Sequence, residues 1–294
     1  MVQPAPSCLV LIADPTNDPL DASRVAALGR RLGGAVRWLA DDAAAEIVLD
    51  STPSRDVVRQ EIGSHAIDWA LISAAGRRKD VLISDMDSTM ITIECIDELA
   101  DVVGIKAEVA AITRRAMNGE LDFERALEAR VALLAGVAES AIREICASRL
   151  ALNPGARTLV QTMRANGAAT LLVSGGFTAF TAYVAELAGF EQHQGNRLEI
   201  RDGTLTGRVL PPILGADAKL ASLQAAAAER RLGPAACLAV GDGANDLPML
   251  QAAGLAVAFR PHEVLRQAAD LVLDHVGLEA ALYLQGYAAD AFVG

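Results

Sequence analysis

Continuous apolar runs of strand length alternate with Ala- and Leu-rich helical stretches through most of this 294-residue chain. The candidate strands span residues 81–84, 169–173, 236–240, 255–259 and 271–273. Their hydrophobicity is continuous, which is typical of parallel strands that are covered on both faces. Helices such as residues 155–166, which Gly167 would end, fit between them. The pattern predicts an α/β fold with a doubly wound parallel sheet, whose ligands bind beyond the carboxyl ends of its strands.

Two regions depart from this alternation. Between Glu94 and Leu150 the sequence carries only helical signals, with predicted helices near residues 96–103, 106–117, 123–135 and 139–148. We therefore expect an all-helical insert over residues 94–150, between the first strand and the next strand–helix unit. Residues 197–209 predict a β-hairpin that turns at Asp202-Gly203.

The first 78 residues form a separate predicted domain. Strand signals at residues 7–13, 36–39, 46–49 and 66–72 enclose helical stretches at residues 22–32 and 55–62. The order βαββαβ is that of a ferredoxin-like fold. The basic segment Arg77-Arg78-Lys79-Asp80 is the expected linker, which leaves residues 79–294 for the α/β domain.

Composition and charge limit the possible functions. With 52% hydrophobic residues the chain can bury a large core, and its net charge of −11 gives nucleic acid no general binding surface. Its four cysteines lie far apart, which predicts neither a zinc site nor a disulfide framework. No apolar run reaches the length of a signal sequence or a membrane span. We expect a cytoplasmic protein.

Acidic residues follow two of the predicted strands. Asp85 and Asp87 come directly after residues 81–84, and Asp242 and Asp246 follow residues 236–240. Oxygen ligands of this kind suit a hard cation such as Mg²⁺ when they converge from separate strands. Each acidic loop by itself could equally be a solvated turn.

A phosphate-binding pattern follows another strand. Ser174-Gly175-Gly176 offers a hydroxyl and unhindered amides, and Lys219 offers a cation further along the chain. Alone, these are more often a tight turn and a surface lysine. Together with the two acidic loops they supply what phosphoryl transfer needs. None of the histidines falls in these motifs, which argues against a histidine phosphatase or a zinc hydrolase: His65, His193, His262 and His275.

From Val81 to the C-terminus, these motifs resemble those of the haloacid dehalogenase superfamily of phosphohydrolases. The resemblance rests on three segments: Asp85-Met86-Asp87-Ser88-Thr89, Val173-Ser174-Gly175-Gly176-Phe177 and Val240-Gly241-Asp242-Gly243-Ala244-Asn245-Asp246. The close match lies with members that hydrolyse O-phospho-L-serine in the last step of L-serine biosynthesis. The resemblance implies that Asp85 is the nucleophile, forming an aspartyl-phosphate, and that Asp87 is the general acid and base.

The same resemblance implies how the metal and the phosphoryl group are held. Mg²⁺ would bind the carboxylates of Asp85 and Asp242 and the backbone carbonyl of Asp87. Three groups are expected to bind the phosphoryl oxygens, namely Ser174, the Gly175 amide and Lys219. Asn245 would contact the same group and Asp246 would orient the cluster.

Substrate specificity is expected to come from the helical insert, which corresponds to the superfamily's cap. Glu94 matches the acid that meets the substrate ammonium, and Arg130 the arginine that meets its carboxylate. Met117 and Phe123 match the apolar cap wall. On spacing alone, Glu94 could be a first-turn helix acid, Arg130 an exposed pair partner, and the other two simple core residues.

Three further interpretations stay open. The enzyme could be a phosphatase or phosphotransferase for another small amino-acid phosphate. The N-terminal domain resembles ACT-like regulatory domains, so the protein could instead be an amino-acid sensor, although residues 14–19 show no obvious ligand-binding glycine. The domain could also serve packing alone, or form a homodimer.

Overall fold

The structure, a computed structural model, describes residues 7–117, 120–269 and 271–294. It contains two β-sheets that lie one after the other along the chain. A four-stranded sheet occupies the first part, and a seven-stranded sheet the second. None of the helices in the described ranges has the length and apolarity that crossing a membrane requires.

The first sheet has the predicted βαββαβ order. Its elements are β1 (Ser7–Ala13), α1 (Ala22–Leu32), β2 (Gly34–Ala40), β3 (Ala44–Leu49), α2 (Arg55–Ile62) and β4 (Ile67–Ser73). The strands are antiparallel in the order β2-β3-β1-β4, as a ferredoxin-like fold requires. Local signals set the helix ends, since the Asp21 carboxylate accepts the N–H of Arg24 and Gly33 ends α1 with a φ of 70°.

The second sheet is the predicted α/β core. Its strands are β5 (Val81–Ser84), β6 (Ala169–Phe177), β7 (Gln192–Arg201), β8 (Thr204–Leu210), β9 (Cys237–Gly241), β10 (Leu255–Phe259) and β11 (Val272–Leu273). They run in the order β11-β10-β9-β5-β6-β7-β8, and all neighbours are parallel except β7 and β8. The predicted hairpin is thus the antiparallel edge of the core sheet. The first residues of β7 are polar, so no apolar run in the sequence marks them as a strand beside β6.

Between β5 and β6, the described residues of the insert form four helices, as predicted. They are α3 (Cys95–Val102), α4 (Lys106–Met117), α5 (Phe123–Ala132) and α6 (Ser140–Ser148). Helix α5 ends before the predicted residue 135 because the chain turns at Gly136, whose φ is 85° and whose N–H donates to Leu205 in β8. The remaining helices are α7 (Ala156–Ala165), α8 (Thr178–Ala188), α9 (Ala216–Glu229), α10 (Leu247–Ala252), α11 (Glu263–Ala268) and α12 (Ala280–Leu284).

The two sheets share a buried boundary. Side chains from one face of β1, among them Val10 and Ile12, belong to the same apolar cluster as Leu282 and Leu284 of α12. Polar contacts accompany this packing, because buried Asp68 on β4 accepts the backbone N–H groups of Asp274 and His275 at 3.0 and 2.9 Å. The first sheet is therefore docked on the second.

The segment predicted as a linker takes part in this boundary. Arg77 Nη2 lies 2.6 Å from Glu46 Oε2, and both side chains are largely buried. The N–H of Lys79 donates to Gln285 Oε1 at 3.0 Å, and its Nζ donates to the carbonyl of Ala235. These contacts fix the path of the chain between the two sheets.

Candidate active site

Three strand ends bring the sequence motifs together. Strands β9, β5 and β6 are neighbours at the centre of the core sheet, and they are parallel. Asp242 and Asp85 directly follow β9 and β5. Ser174 lies in the last part of β6, which continues past the predicted end at residue 173 to Phe177, and all three side chains are buried. The edge of the sheet where ligands were expected therefore carries the acids and the serine.

Three acids and one lysine form a buried cluster. Carboxylate oxygens of Asp85, Asp242 and Asp246 lie within 4.8 Å of one another. Lys219 Nζ lies 2.8 Å from Asp85 Oδ1 and 2.6 Å from Asp246 Oδ1, with only 2% of its side chain exposed. Asp246 Oδ2 also accepts the N–H groups of Asp242 and Gly243. Three carboxylates facing one ammonium leave negative charge that a bound cation would balance, so the donor set fits a metal ion.

The electrostatics of the cluster follow from its burial. Loss of water and the neighbouring carboxylate of Asp246 raise the pKa of Asp85 well above its usual range. The same two causes raise the pKa of Asp242 to about 6, and Thr89 Oγ1 donates to its Oδ1 at 2.9 Å. Although burial opposes its charge, the carboxylates of Asp85 and Asp246 keep the pKa of Lys219 above its ordinary value. The lysine is a permanent cation in this site.

The carboxylate of Asp87 lies apart from the cluster. Its Oδ1 accepts the N–H of Cys95 at 2.9 Å, and Ser174 Oγ donates to its Oδ2 at 3.3 Å. Burial raises the pKa of Asp87, which favours the protonated acid. Two aspartates that are two residues apart thus have different surroundings. The predicted metal contact of Asp87 involves its backbone carbonyl and stays a prediction.

The glycines after Ser174 allow a close approach of groups from two sides. The N–H of Gly176 donates to Ser174 Oγ at 2.8 Å, and a Cβ atom on Gly176 would lie 2.8 Å from Asp87 Oδ2. A Cβ atom on Gly175 would lie 3.1 Å from the ring of Phe123 in the insert. Side chains at these two positions would crowd the acid and the cap.

A cavity of about 480 Å³ lies between the sheet edge and the helical insert. Its lining includes Asp85, Asp87, Ser174, Gly175, Asp242 and Asn245 from the core, and Glu94, Phe123, Leu127 and Arg130 from the insert. The structure thus brings most of the predicted site residues to one space. Lys219 contacts Asp85 but does not line the cavity. The side chain of Met117 lies outside the described residues.

The insert contributes an acid and a guanidinium to this cavity. Ser88 Oγ donates to Glu94 Oε1 at 2.7 Å, and the Nε of Arg130 donates to the carbonyl of Ala126 at 3.2 Å. Surrounding protein atoms and the charge of Asp87 raise the pKa of Glu94 to about 7. Burial lowers the pKa of Arg130, which still stays charged. One cavity wall therefore offers both signs of charge.

The sequence did not predict the roles of two residues at the site, His262 and Thr89. His262 lines the cavity, with Nε2 3.7 Å from Asp242 Oδ2, and its N–H donates to the Asp242 carbonyl. It follows the end of β10, so the rule that polar residues after strands form the site could have found it. Thr89 lay within a quoted motif, but its partner, Asp242, is distant in sequence.

The sequence model of the haloacid dehalogenase-like hydrolase family matches residues 82–251, more than half of the chain. The chain belongs to the haloacid dehalogenase-like hydrolases. The matched residues include both acidic loops, Ser174 and Lys219. The whole buried cluster of this hydrolase therefore lies within the part of the chain that the family model matches.

Relatives and solved structures agree with this assignment. A phosphoserine phosphatase of Albidiferax ferrireducens is 46% identical over 205 residues, which cover 68% of this hydrolase and 86% of the relative. A haloacid dehalogenase family hydrolase from Salmonella enterica serovar Typhi has a TM-score of 0.82 at 28% identity, covering 95% of this chain and 98% of that one. A probable phosphoserine phosphatase from Vibrio cholerae has a TM-score of 0.78 at 30% identity, covering 98% and 88%. This hydrolase is therefore an enzyme of a metal-dependent family, with an acid cluster able to hold the metal.

Proposed function

We propose that this hydrolase is a phosphoserine phosphatase, which converts O-phospho-L-serine and water to L-serine and phosphate. The observation that carries the proposal is one cavity with two chemically distinct ends. The buried Asp85 and Lys219 lie at the sheet edge, and Glu94 and Arg130 line the insert side. The similarity to relatives that carry this name supports the same substrate.

Asp85 is the nucleophile in this proposal. The N–H of Met86 donates to Asp85 Oδ1 at 2.7 Å, and Lys219 lies beside the same oxygen. Asp85 then attacks phosphorus as the bond to the seryl oxygen breaks, which forms an aspartyl-phosphate. Water hydrolyses this intermediate and releases phosphate, which restores the Asp85 carboxylate.

Asp87 is the general acid and base. Its raised pKa favours the protonated carboxyl, the form that donates to the departing seryl oxygen. The resulting carboxylate accepts a proton from the water that attacks the aspartyl-phosphate. The N–H of Cys95 holds this carboxylate in place through both steps. In the ligand-free protein the hydroxyl of Ser174 donates to it as well.

Mg²⁺ is the proposed metal, held by the carboxylates of Asp85 and Asp242 and by the backbone carbonyl of Asp87. When bound, the ion supplies the positive charge that allows a carboxylate to approach a phosphate dianion. Asp246 orients Asp242 through its backbone N–H and holds Lys219. Ser174, the Gly175 amide, Lys219 and Asn245 are the proposed ligands of the phosphoryl oxygens.

The insert recognises the serine portion of the substrate. Glu94 pairs with the ammonium, and Arg130 with the carboxylate, because a charged group in a partly dry cavity needs a partner of opposite sign. Phe123 lines the cavity and is the proposed apolar wall over the substrate. The same role for Met117 stays a prediction. By this proposal the reaction is the last step of L-serine biosynthesis.

The direct test is phosphate release by the purified protein from L-phosphoserine, with and without Mg²⁺. We expect turnover that requires the metal, and rates on phosphothreonine and phosphohomoserine that are much lower. A better rate on either of these would assign a different amino-acid phosphate. Absence of turnover on all three with Mg²⁺ present would contradict the proposal as a whole.

A further inference from the structure

The two chain segments that join the helical insert to the core pair with each other. The outgoing segment, residues 88–94, and the returning segment, residues 149–155, form an antiparallel bridge between Ile91 and Leu152. The N–H of Thr92 donates to the Ala151 carbonyl at 3.1 Å, and the N–H of Asn153 donates to the Met90 carbonyl at 2.9 Å. We call this pairing the cap junction.

The side chain of Asn153 completes the cap junction. Its Nδ2 donates to the carbonyls of Thr89 at 2.8 Å and Ile91 at 3.1 Å, and lies 3.5 Å from the carbonyl of Ser88. The residue is 6% exposed, so water does not substitute easily for these bonds. One amide group therefore satisfies the carbonyls of the turn that directly follows Asp87.

Asn153 is itself anchored to the core. Its carbonyl accepts the N–H of Ala156, the first residue of α7. Helix α7 packs beneath the core sheet through buried side chains such as Leu159 and Met163. Asn153 thus links the turn after Asp87 to helix α7.

The turn that Asn153 holds carries two contacts to site acids. Ser88, with a φ of 55°, donates from Oγ to Glu94 Oε1, and Thr89 donates from Oγ1 to Asp242 Oδ1. The left-handed conformation of Ser88 is unfavourable for a residue with a side chain and persists only where neighbours hold it. A shift of this turn would move the Asp87 backbone, release Glu94 and disturb Asp242 together.

We infer that Asn153 is a positioning residue for the reaction: its amide locks the turn after Asp87 to the cap junction and so sets the acid cluster and the insert in one fixed relation. The inference rests on the proposed phosphatase function, because its kinetic readout uses phosphoserine. Asn153 does not line the cavity that is proposed to bind the substrate, and it acts through the turn that follows Asp87.

Two variants separate hydrogen bonding from packing. Asn153→Ala removes the amide and leaves a space, whereas Asn153→Leu keeps a similar volume and donates no hydrogen bond. We expect both to lower kcat/KM for phosphoserine about 100-fold, the cost of a small misplacement at a reacting centre. The loss should be shared between a lower kcat, through Asp87 and Asp242, and a higher KM, through Glu94.

Asn166→Ala is the matched control. Asn166 lies just after the other end of α7, and its Nδ2 donates to a single carbonyl, that of Thr162, at 2.8 Å. We expect its kcat and KM to stay within about twofold of the wild type. If Asn153 had a purely structural role, its loss would reduce the folded fraction and leave KM unchanged. An Asn153→Leu protein with wild-type kcat and KM would overturn the inference.

Hydrogen exchange of the wild-type protein gives a second test that needs neither a variant nor activity. If the cap junction is locked, the N–H groups of Thr92 and Asn153 should be protected in the ligand-free protein and exchange far more slowly than in an unfolded chain. Free exchange at both positions would contradict the inference even if the variants failed to fold. A protein inactive on phosphoserine with a protected junction would instead refute the proposed function alone.

Discussion

Lys219 Nζ lies 2.8 Å from Asp85 Oδ1, and neither side chain is more than 9% exposed. This contact joins the proposed nucleophile to a cation that burial would otherwise discharge. Asp246 holds the other side of the ammonium at 2.6 Å. The ammonium opposes the rise in the pKa of Asp85 that burial and Asp246 cause, and so favours the ionised carboxylate that attack on phosphorus requires.

Lys219→Met should therefore lower both the activity and the stability of the protein. We expect kcat to fall at least about 100-fold, as when a group that stabilises transition-state charge is lost. Without metal, two buried carboxylates lose their partner, so the free energy of unfolding in urea with EDTA should fall by about 3–5 kcal/mol. Lys106→Met is the control, since Lys106 is 3.8 Å from Glu98 and half exposed, and should cost less than about 1 kcal/mol. Equal costs for the two variants would contradict this account of the cluster.

The raised pKa of Glu94 predicts that the affinity for the product L-serine depends on pH. The charges of L-serine itself stay constant between about pH 5 and 8. The free protein has a Glu94 pKa of about 7, and only the ionised carboxylate attracts an ammonium. Below that pH a proton must leave before L-serine binds, so affinity should weaken up to about tenfold per pH unit. Calorimetric titration measures this directly. Glu94→Gln should bind weakly at every pH, and a wild-type affinity that is flat across the range would count against the role of Glu94.

Gly176 should tolerate no side chain. Its Cβ would lie 2.8 Å from Asp87 Oδ2 and 3.0 Å from Ser174 Oγ, so Gly176→Ala must displace the proposed acid. We expect kcat to fall about 100-fold with a small change in thermal midpoint. Gly233→Ala is the matched control, because a Cβ atom at that position meets nothing within 4 Å. Steady-state kinetics on both variants test the point, and an active Gly176→Ala protein would show that Asp87 can move freely.

Asp68→Ala should destabilise the boundary between the two sheets. It leaves the N–H groups of Asp274 and His275 without their buried acceptor, at a cost of about 2–4 kcal/mol in the free energy of unfolding. Asp56→Ala removes an exposed partner of Arg59 and should cost under about 1 kcal/mol. Urea denaturation of both variants measures the difference. Similar stabilities would mean that the two hydrogen bonds of Asp68 contribute little to the docking of the sheets.

The central sheet and its acids could be predicted because two physical rules act together. Strands buried on both faces appear as continuous apolar runs, and parallel strands end at one edge, so Asp85 and Asp242 had to meet. The first residues of β7 escaped detection because they are polar and owe their strand conformation to pairing with β6. Tertiary pairing here overrides local composition.

Long-range polar contacts could not be predicted in the same way. Asn153 and His262 are single polar residues in loops, with no periodicity and no repeated spacing to mark them. The bond from the Cys95 N–H to Asp87 involves the backbone, so almost any residue type would make it. The ACT-like character of the N-terminal domain, its pairing into a homodimer and the cytoplasmic location stay predictions.

The most direct test of the central claim is transfer of the phosphoryl group to Asp85. Wild-type protein mixed with radiolabelled phosphoserine and Mg²⁺, then quenched with acid within a single turnover, should carry label on the peptide that contains Asp85. Asp85→Asn should bind the substrate and carry no label. Release of labelled phosphate by the wild type without protein-bound label at any quench time, or labelling of Asp85→Asn, would contradict the account.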